Sequence, residues 1–329
     1  MSQVLDIFTE YTGWMKARIV LTAAELDIFT LLDEKPLTAE EFARTLKADT
    51  RASVRILDCL VAFGLLEKTG GWYALTESGA FFSSRHPESV LAMLLHMNNG
   101  WDNWTLLTET VLEGRNPGLK PVIDAKDKAV TKAFIGAMHV IGKSMSREIA
   151  AAYDARPYKR LLDIGGGSGT YTIALLEKNP NMSAVIFDLP DVIPIAAERL
   201  KAEGYLERVT LAAGDFYKDE LPAGCDLALL SAIIHQNSPL ENISLYRNIY
   251  RALEPGGTVL IRDHVMDESR TKPIAGTLFA INMLVHTTGG DTYTFREIKE
   301  MLDKAGFQDV KLVRSGERMD CLVEGKKLG

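Results

Sequence analysis

The chain has 329 residues, 47% of them apolar, and a formal net charge of −7. That length supports two domains with ample buried core, and an acidic balance without a long Lys/Arg run speaks against nucleic acid or an anionic membrane as the main partner. No apolar run approaches the roughly 18 residues that a bilayer-spanning helix needs, and the N-terminus carries neither a basic n-region nor a cleavage pattern, so the cytoplasm is the expected compartment. Cys59, Cys225 and Cys321 lie far apart without C-x-x-C spacing, which indicates neither a disulfide framework nor a zinc knuckle.

The first element in chain order is an apolar stretch, VLDIF through IVLTAAELDIFTLL, compatible with an intertwined interface or an ordinary buried helix pair. Thr38 and Glu41 then form a T-x-x-E capping box for the helix EEFARTLKA, and a second helix begins at about Thr50 with Val54, Leu57, Leu60 and Val61 on one stripe. LLEKT and WYALT read as short strands joined by Gly70 and Gly71, with Thr76 capping the next short helix. Helices closed by one hairpin make a winged helix, so residues 1–100 are expected to be one domain.

A winged helix often binds DNA. Residues 1–100 hold 13 Asp+Glu against 9 Lys+Arg, and the would-be recognition helix offers only Arg51 and Arg55 before Asp58. That is poor footing on a phosphate backbone, although a DNA-binding regulator with a ligand-sensing second domain stays an alternative. Residues 101–158 read as a helical linker layer broken by EGRNPG and ARP.

From residue 159 to 329 strand and helix alternate: RLLDI, AVIFDL, VTLAAG, LALLSAI, TVLIRD, then a final pair near VKLVRS and CLVEG. The expected fold is α/β, a doubly wound and mostly parallel Rossmann-like sheet. Ligands of such sheets sit beyond the carboxyl ends of the strands, where Gly165, Asp188, Asp215, Ser231 and His235 all fall.

The run LLDIGGGSGT ends a strand in an acid and then places Gly165, Gly167 and Gly169 at alternate positions before a helical pattern. Bare backbone can there approach a ligand at a helix N-terminus. A dinucleotide fingerprint needs G-x-G-x-x-G, whose third glycine position is Thr170, whereas G-x-G-x-G is met in full. The spacing therefore favours S-adenosylmethionine over NAD. Asp188, about 20 residues on at the next strand tip, is placed to take both ribose hydroxyls.

LLDIGGGSG, FDLPDVI, RVTLAAGDF, LLSAIIHQNSP and LEPGGTVLIRDHVMDE, in this order, resemble the plant-type, caffeate-like small-molecule O-methyltransferases and their bacterial relatives, over nearly the whole chain. The resemblance implies transfer of a methyl group from S-adenosylmethionine to a hydroxyl of a small, aromatic or conjugated acceptor, without a metal. It also implies that the N-terminal domain is a homodimerisation module. C- or N-methylation on the same fold remains open.

Residue by residue, the resemblance assigns Gly165, Gly167 and Gly169 to the methionine end of the cofactor, with Asp163 orienting the turn or answering the ammonium. Asp188, followed by Leu189, takes the ribose, and Asp215 with Phe216 takes the adenine. Ser231 stands where the family often has a cofactor-contacting lysine. His235 matches the general base, with Asp263 as the carboxylate that orients it. Two positions depart from the pattern: Gln236 follows the histidine where Asp is usual, and Thr292 replaces a second flanking Glu. Phe134 and Met138, at i and i+4 of a helix, match acceptor-pocket positions, and His286 is a further pocket-wall candidate.

Overall fold

The computed structural model describes residues 11–120 and 128–329. The first five residues of the apolar stretch, Val4–Phe8, lie outside the described residues. Two compact units emerge: the described residues up to Trp101 together with Lys132–Val140, and Asp102–Thr131 together with Ile141–Gly329.

The first unit opens with helices α1 (Gly13–Glu25) and α2 (Ile28–Glu34), then strand β1 (Leu37–Thr38), α3 (Ala39–Leu46) and α4 (Thr50–Ala62). The α3 capping box forms as its sequence dictates: Thr38 Oγ1 accepts from the Glu41 amide and the Glu41 carboxylate accepts from the Thr38 amide. The wing is the pair β2 (Leu66–Thr69) and β3 (Trp72–Leu75), antiparallel, turning through Gly70 and Gly71 at φ +58° and +86°. A two-residue turn with positive φ at both positions is strained for any residue with a Cβ. The short β1 adds a third strand that the sequence pattern did not signal, pairing Leu37 with Tyr73. Ile28, Phe29, Phe42, Leu57, Leu60, Leu66 and Tyr73 fill the core between helices and wing. Short helices α5 (Glu77–Ala80) and α6 (Leu91–Asn99) follow.

Helices α7 (Trp101–Thr105), α8 (Leu107–Glu113) and the 25-residue α9 (Lys128–Ala152) lead into the sheet. Its strands are β4 (Arg160–Ile164), β5 (Ser183–Asp188), β6 (Val209–Ala213), β7 (Cys225–Ser231), β8 (Leu253–Asp263), β11 (Gln308–Arg314) and β12 (Cys321–Lys326). They lie in the order β11-β12-β8-β7-β4-β5-β6, parallel from β8 to β6, with β12 and β11 antiparallel at one edge. The chain winds outward from β4 to β6 and restarts on the other side at β7, so the topological switch point is the β4/β7 boundary.

Leu227, Ala228, Leu229 and Leu230 are all fully buried, as a central strand covered on both faces must be. One face packs on α12 (Pro239–Ala252) and α14 (Phe295–Ala305) through Tyr246, Ile249, Ile298 and Leu302. The other packs on the C-terminal part of α9, on α10 (Thr170–Lys178) and on α11 (Ile193–Ala202) through Ile149, Leu175, Leu176 and Leu200. Between β8 and α14 lie α13 (Ile274–His286) and a two-residue parallel pair, β9 (Val265–Met266) with β10 (Tyr293–Thr294).

Candidate active site

The glycine turn is a backbone cradle. Gly165, Gly167 and Gly169 have φ of +66°, +56° and +78°, and a Cβ built on Gly165 would come within 2.8 Å of Ile233 Cδ1. The positive φ favours glycine at all three positions, and the Ile233 side chain leaves no room for a Cβ at Gly165. Gly169 caps α10, whose first amides face the turn.

Asp163 lies under this turn, buried, with Oδ2 accepting from Thr172 Oγ1 at 2.6 Å. Burial pushes its carboxyl up to about 6 against the pull of that hydrogen bond, with the nearby Asp188 charge adding to the rise. Asp188 ends β5 and accepts from the Gly167 amide and from the Leu189 amide, both at 2.7 Å. The ribose candidate and the glycine cradle are thus bonded to each other. Burial raises the Asp188 carboxyl as well, and those two amides oppose it. Phe216 brings its ring within 3.5 Å of the Gly165 Cβ position. Asp215 accepts from Lys218 Nζ at 2.7 Å and from the Tyr217 amide at 2.9 Å, which outweigh its burial and hold the carboxyl below its ordinary value.

His235 sits in a single 3-10 turn, Ile234–Gln236, beyond the end of β7. Its ring is buried, and Nδ1 meets both oxygens of Asp263, at 3.0 and 2.9 Å. Burial works against ionisation of Asp263, but the His235 ring, Arg262 and the His264 amide together hold its carboxyl below the ordinary value. An ionised carboxylate fixes the proton on Nδ1, and Nε2 is left without a hydrogen-bond partner among the described residues.

The turn that carries His235 is pinned from several elements. Asn242 Nδ2 on α12 donates to the Ile234 carbonyl at 2.9 Å, the Asp291 amide donates to the His235 carbonyl at 2.9 Å, and the Tyr293 hydroxyl donates to the Asn237 carbonyl. Phe279 on α13 closes edge-on to the imidazole, with centroids 4.8 Å apart.

The two departures from the family pattern are accounted for by other bonds. Gln236 Nε2 donates to the Tyr217 hydroxyl at 3.0 Å, and Thr292 Oγ1 donates to the Gly276 carbonyl at 3.4 Å. Asp263 is therefore the one carboxylate bonded to His235 among the described residues. Ser231 Oγ accepts from Arg262 Nε at 2.8 Å. His286, the last residue of α13, turns Nδ1 to the Asn282 carbonyl at 2.9 Å. Phe134 and Met138 belong to the first unit, where Phe134 meets His96 edge-on at 5.2 Å. Among the described residues no group of three or more His, Cys, Asp or Glu is arranged to hold a metal ion.

Tyr217, Arg262, His264 and Phe279 were not singled out by the sequence. His264 is buried with Nδ1 lacking a partner among the described residues, and burial lowers its pKa, which keeps the ring neutral. Only the position of Arg262 and His264 on either side of Asp263 at a strand tip could have drawn attention to them.

A glycine cradle and carboxylates at the tips of β4 and β5, with a histidine–carboxylate pair past β7, define a class I methyltransferase. A model of the O-methyltransferase domain matches residues 104–308, and one of the O-methyltransferase dimerisation domain matches residues 10–85. The chain belongs to this O-methyltransferase family and uses S-adenosylmethionine. It is 31% identical to acetylserotonin O-methyltransferase of Gallus gallus over 98% of this chain and 96% of that protein. It is 30% identical to a tetracenomycin polyketide synthesis 8-O-methyl transferase of Streptomyces glaucescens, over 98% and 96%. The crystal structure of human N-acetylserotonin methyltransferase in complex with S-adenosylmethionine superposes with a TM-score of 0.83 at 26% identity, covering 99% of this chain and 98% of that one. The dimerisation module takes the place that the regulator alternative gave to a DNA-binding domain. The positive-φ glycine turn ahead of α10, with the Asp188 carboxylate bonded to its Gly167 amide, fits a nucleoside-linked amino acid such as this cofactor.

Proposed function

We propose that the chain methylates a hydroxyl of a small aromatic or conjugated acceptor, with His235 as the general base. The observation that carries this reading is the His235–Asp263 pair: Nδ1 is engaged by both carboxylate oxygens, so the free Nε2 is the basic nitrogen. As the acceptor oxygen gains its new bond to carbon, its proton passes to Nε2, and the Asp263 charge stabilises the resulting imidazolium. The cofactor, when bound, supplies a methyl group already activated on a sulfonium, so the protein's task is alignment and proton removal.

Gly165, Gly167, Gly169 and Asp163 would hold its amino-acid end, Asp188 with Leu189 the ribose, and Asp215 with Phe216 the base. Phe134 and Met138, which match acceptor-pocket positions of the family, and His286, a further pocket-wall candidate, are assigned to the acceptor. The relatives' names, acetylserotonin and a tetracenomycin polyketide, support a hydroxylated aromatic acceptor. Exposed Tyr11, Trp14 and Met15 at the start of the dimerisation domain support a homodimer. Three free cysteines fit a reducing, cytoplasmic setting.

The test is a screen with methyl-labelled cofactor over phenols, hydroxylated polyketides and their O-methyl ethers. Label should appear on free hydroxyls and never on acceptors whose hydroxyls are blocked. Label on carbon or nitrogen of a blocked acceptor would replace this reading with C- or N-methylation.

A further inference from the structure

Ser231 and Arg262 are register partners at the carboxyl ends of the adjacent strands β7 and β8. Alternation along the strands puts them on the same sheet face as Leu229 and Leu260, and Asp163, the register partner of Leu229, lies on that face too.

Arg262 is only 5% exposed. Its Nε donates to Ser231 Oγ at 2.8 Å and Nη1 to the Met319 carbonyl at 2.7 Å, while Nη2 finds only the Met319 sulfur at 3.7 Å. The guanidinium lies over the Tyr171 ring, 4.6 Å from its centroid, in the first turn of the helix that follows the glycine cradle. No carboxylate among the described residues forms an ion pair with it. The charges of Asp163 and Asp263 act on it only from beyond contact distance, and a planar guanidinium with no carboxylate in direct contact is the group best suited to an incoming one. The Ser231 oxygen already accepts from Arg262, so its own hydrogen is free to donate, and no acceptor for it is found among the described residues.

We propose that Ser231 and Arg262 form the receptor for the carboxylate of the cofactor's amino-acid end. The Ser231 hydroxyl donates to that carboxylate, and Arg262 polarises the hydroxyl and supplies the counter-charge behind it. Asp163 on β4 offers the opposite charge on the same face, so a zwitterionic α-amino acid finds both of its charges answered. The proposal rests on the reading that Gly165–Gly169 and Asp163 hold the amino-acid end.

The experiment is calorimetric and needs no acceptor. Wild type, Ser231→Ala, Arg262→Met and Arg262→Lys are titrated with S-adenosylhomocysteine and with its decarboxylated analogue, which keeps the nucleoside, thioether and amine. Ser231→Ala and Arg262→Met should each weaken S-adenosylhomocysteine binding by roughly 10- to 100-fold, the scale of a charge-assisted hydrogen bond. Their affinity for the decarboxylated analogue should match that of wild type, and Arg262→Lys should recover part of the loss. Equal losses for both ligands would make Arg262 a structural tie to Met319 and overturn the proposal, as would no loss for either. Should Arg262→Met fail to fold, Ser231→Ala alone decides, since it removes one hydroxyl. A wild-type protein that binds the decarboxylated analogue as tightly as S-adenosylhomocysteine would refute this receptor alone, whereas wild type binding neither ligand would overturn the cofactor-site reading beneath it.

Discussion

Asp163 makes the site's electrostatics measurable before any substrate is known. Its carboxyl is fully buried and pushed from 3.8 to about 6 by that burial. Because the native state holds this proton more tightly than the unfolded chain, the native state binds more protons between those two values. Stability contributed by the neutral form is complete below about 4 and is lost as pH rises through about 6. A rise of that size corresponds to about 3 kcal/mol of destabilisation at neutral pH relative to acid. Asp163→Asn keeps an oxygen that accepts from Thr172 Oγ1 and removes the titration. Urea unfolding of the ligand-free protein, followed from pH 4 to 8, should therefore show the variant about equal to wild type at pH 4 and more stable by up to about 3 kcal/mol above pH 7. If Asp163 answers the cofactor ammonium as proposed, the same variant should bind S-adenosylhomocysteine more weakly. Parallel stability profiles for the two proteins, or a variant less stable at pH 8, would refute burial as the cause of the raised value.

Further outcomes follow from the same geometry. Asp188→Ala removes the acceptor of the Gly167 amide and, on the proposed assignment, both ribose bonds, so S-adenosylhomocysteine affinity should fall by about 2 to 4 kcal/mol in calorimetry. Asp263→Asn offers the ring an amide in place of an ionised carboxylate, which upsets the tautomer that leaves Nε2 basic. Turnover should drop, though by less than in His235→Ala, with the cofactor KM nearly unchanged. Removal of Ser2–Ile19 should convert the proposed dimer to monomer or aggregate in light scattering, and an unaltered dimer would contradict the proposed interface.

The local signals in the sequence translated directly into local structure. The Thr38/Glu41 box, the paired glycines of the wing and the strand tip before Gly165 each depend on residues within a few positions of one another. The start of β8 was less legible: Pro255, Gly256 and Gly257 look like a turn, yet the strand begins at Leu253. A register shift against β7, between Cys225 and Leu227, absorbs the irregularity. The boxes Ser238/Glu241 and Thr294/Glu297, which start α12 and α14, carry the same local signature as the first.

The pairing of His235 with Asp263 came from the family resemblance, and strand order explains why they meet. His235 and Asp263 are 28 positions apart but meet because β7 and β8 are neighbours. What the sequence could not supply was contact across elements. Nothing near Gln236 announces that its amide reaches Tyr217, and nothing near Ser231 announces that an arginine from the next strand occupies its oxygen. Phe279 reaches the imidazole only because α13 folds back over the strand ends.

The central claim is that His235 removes the acceptor proton, and the most direct measurement is single-turnover methyl transfer by His235→Ala at saturating cofactor with an acceptor found in the screen. The rate should fall by roughly 100-fold or more while S-adenosylhomocysteine affinity stays within a factor of about two of wild type. An acceptor of lower hydroxyl pKa, already ionised at the assay pH, should recover much of the rate. A variant that transfers methyl to a neutral phenol at the wild-type rate would contradict the assignment and leave alignment alone to carry the reaction.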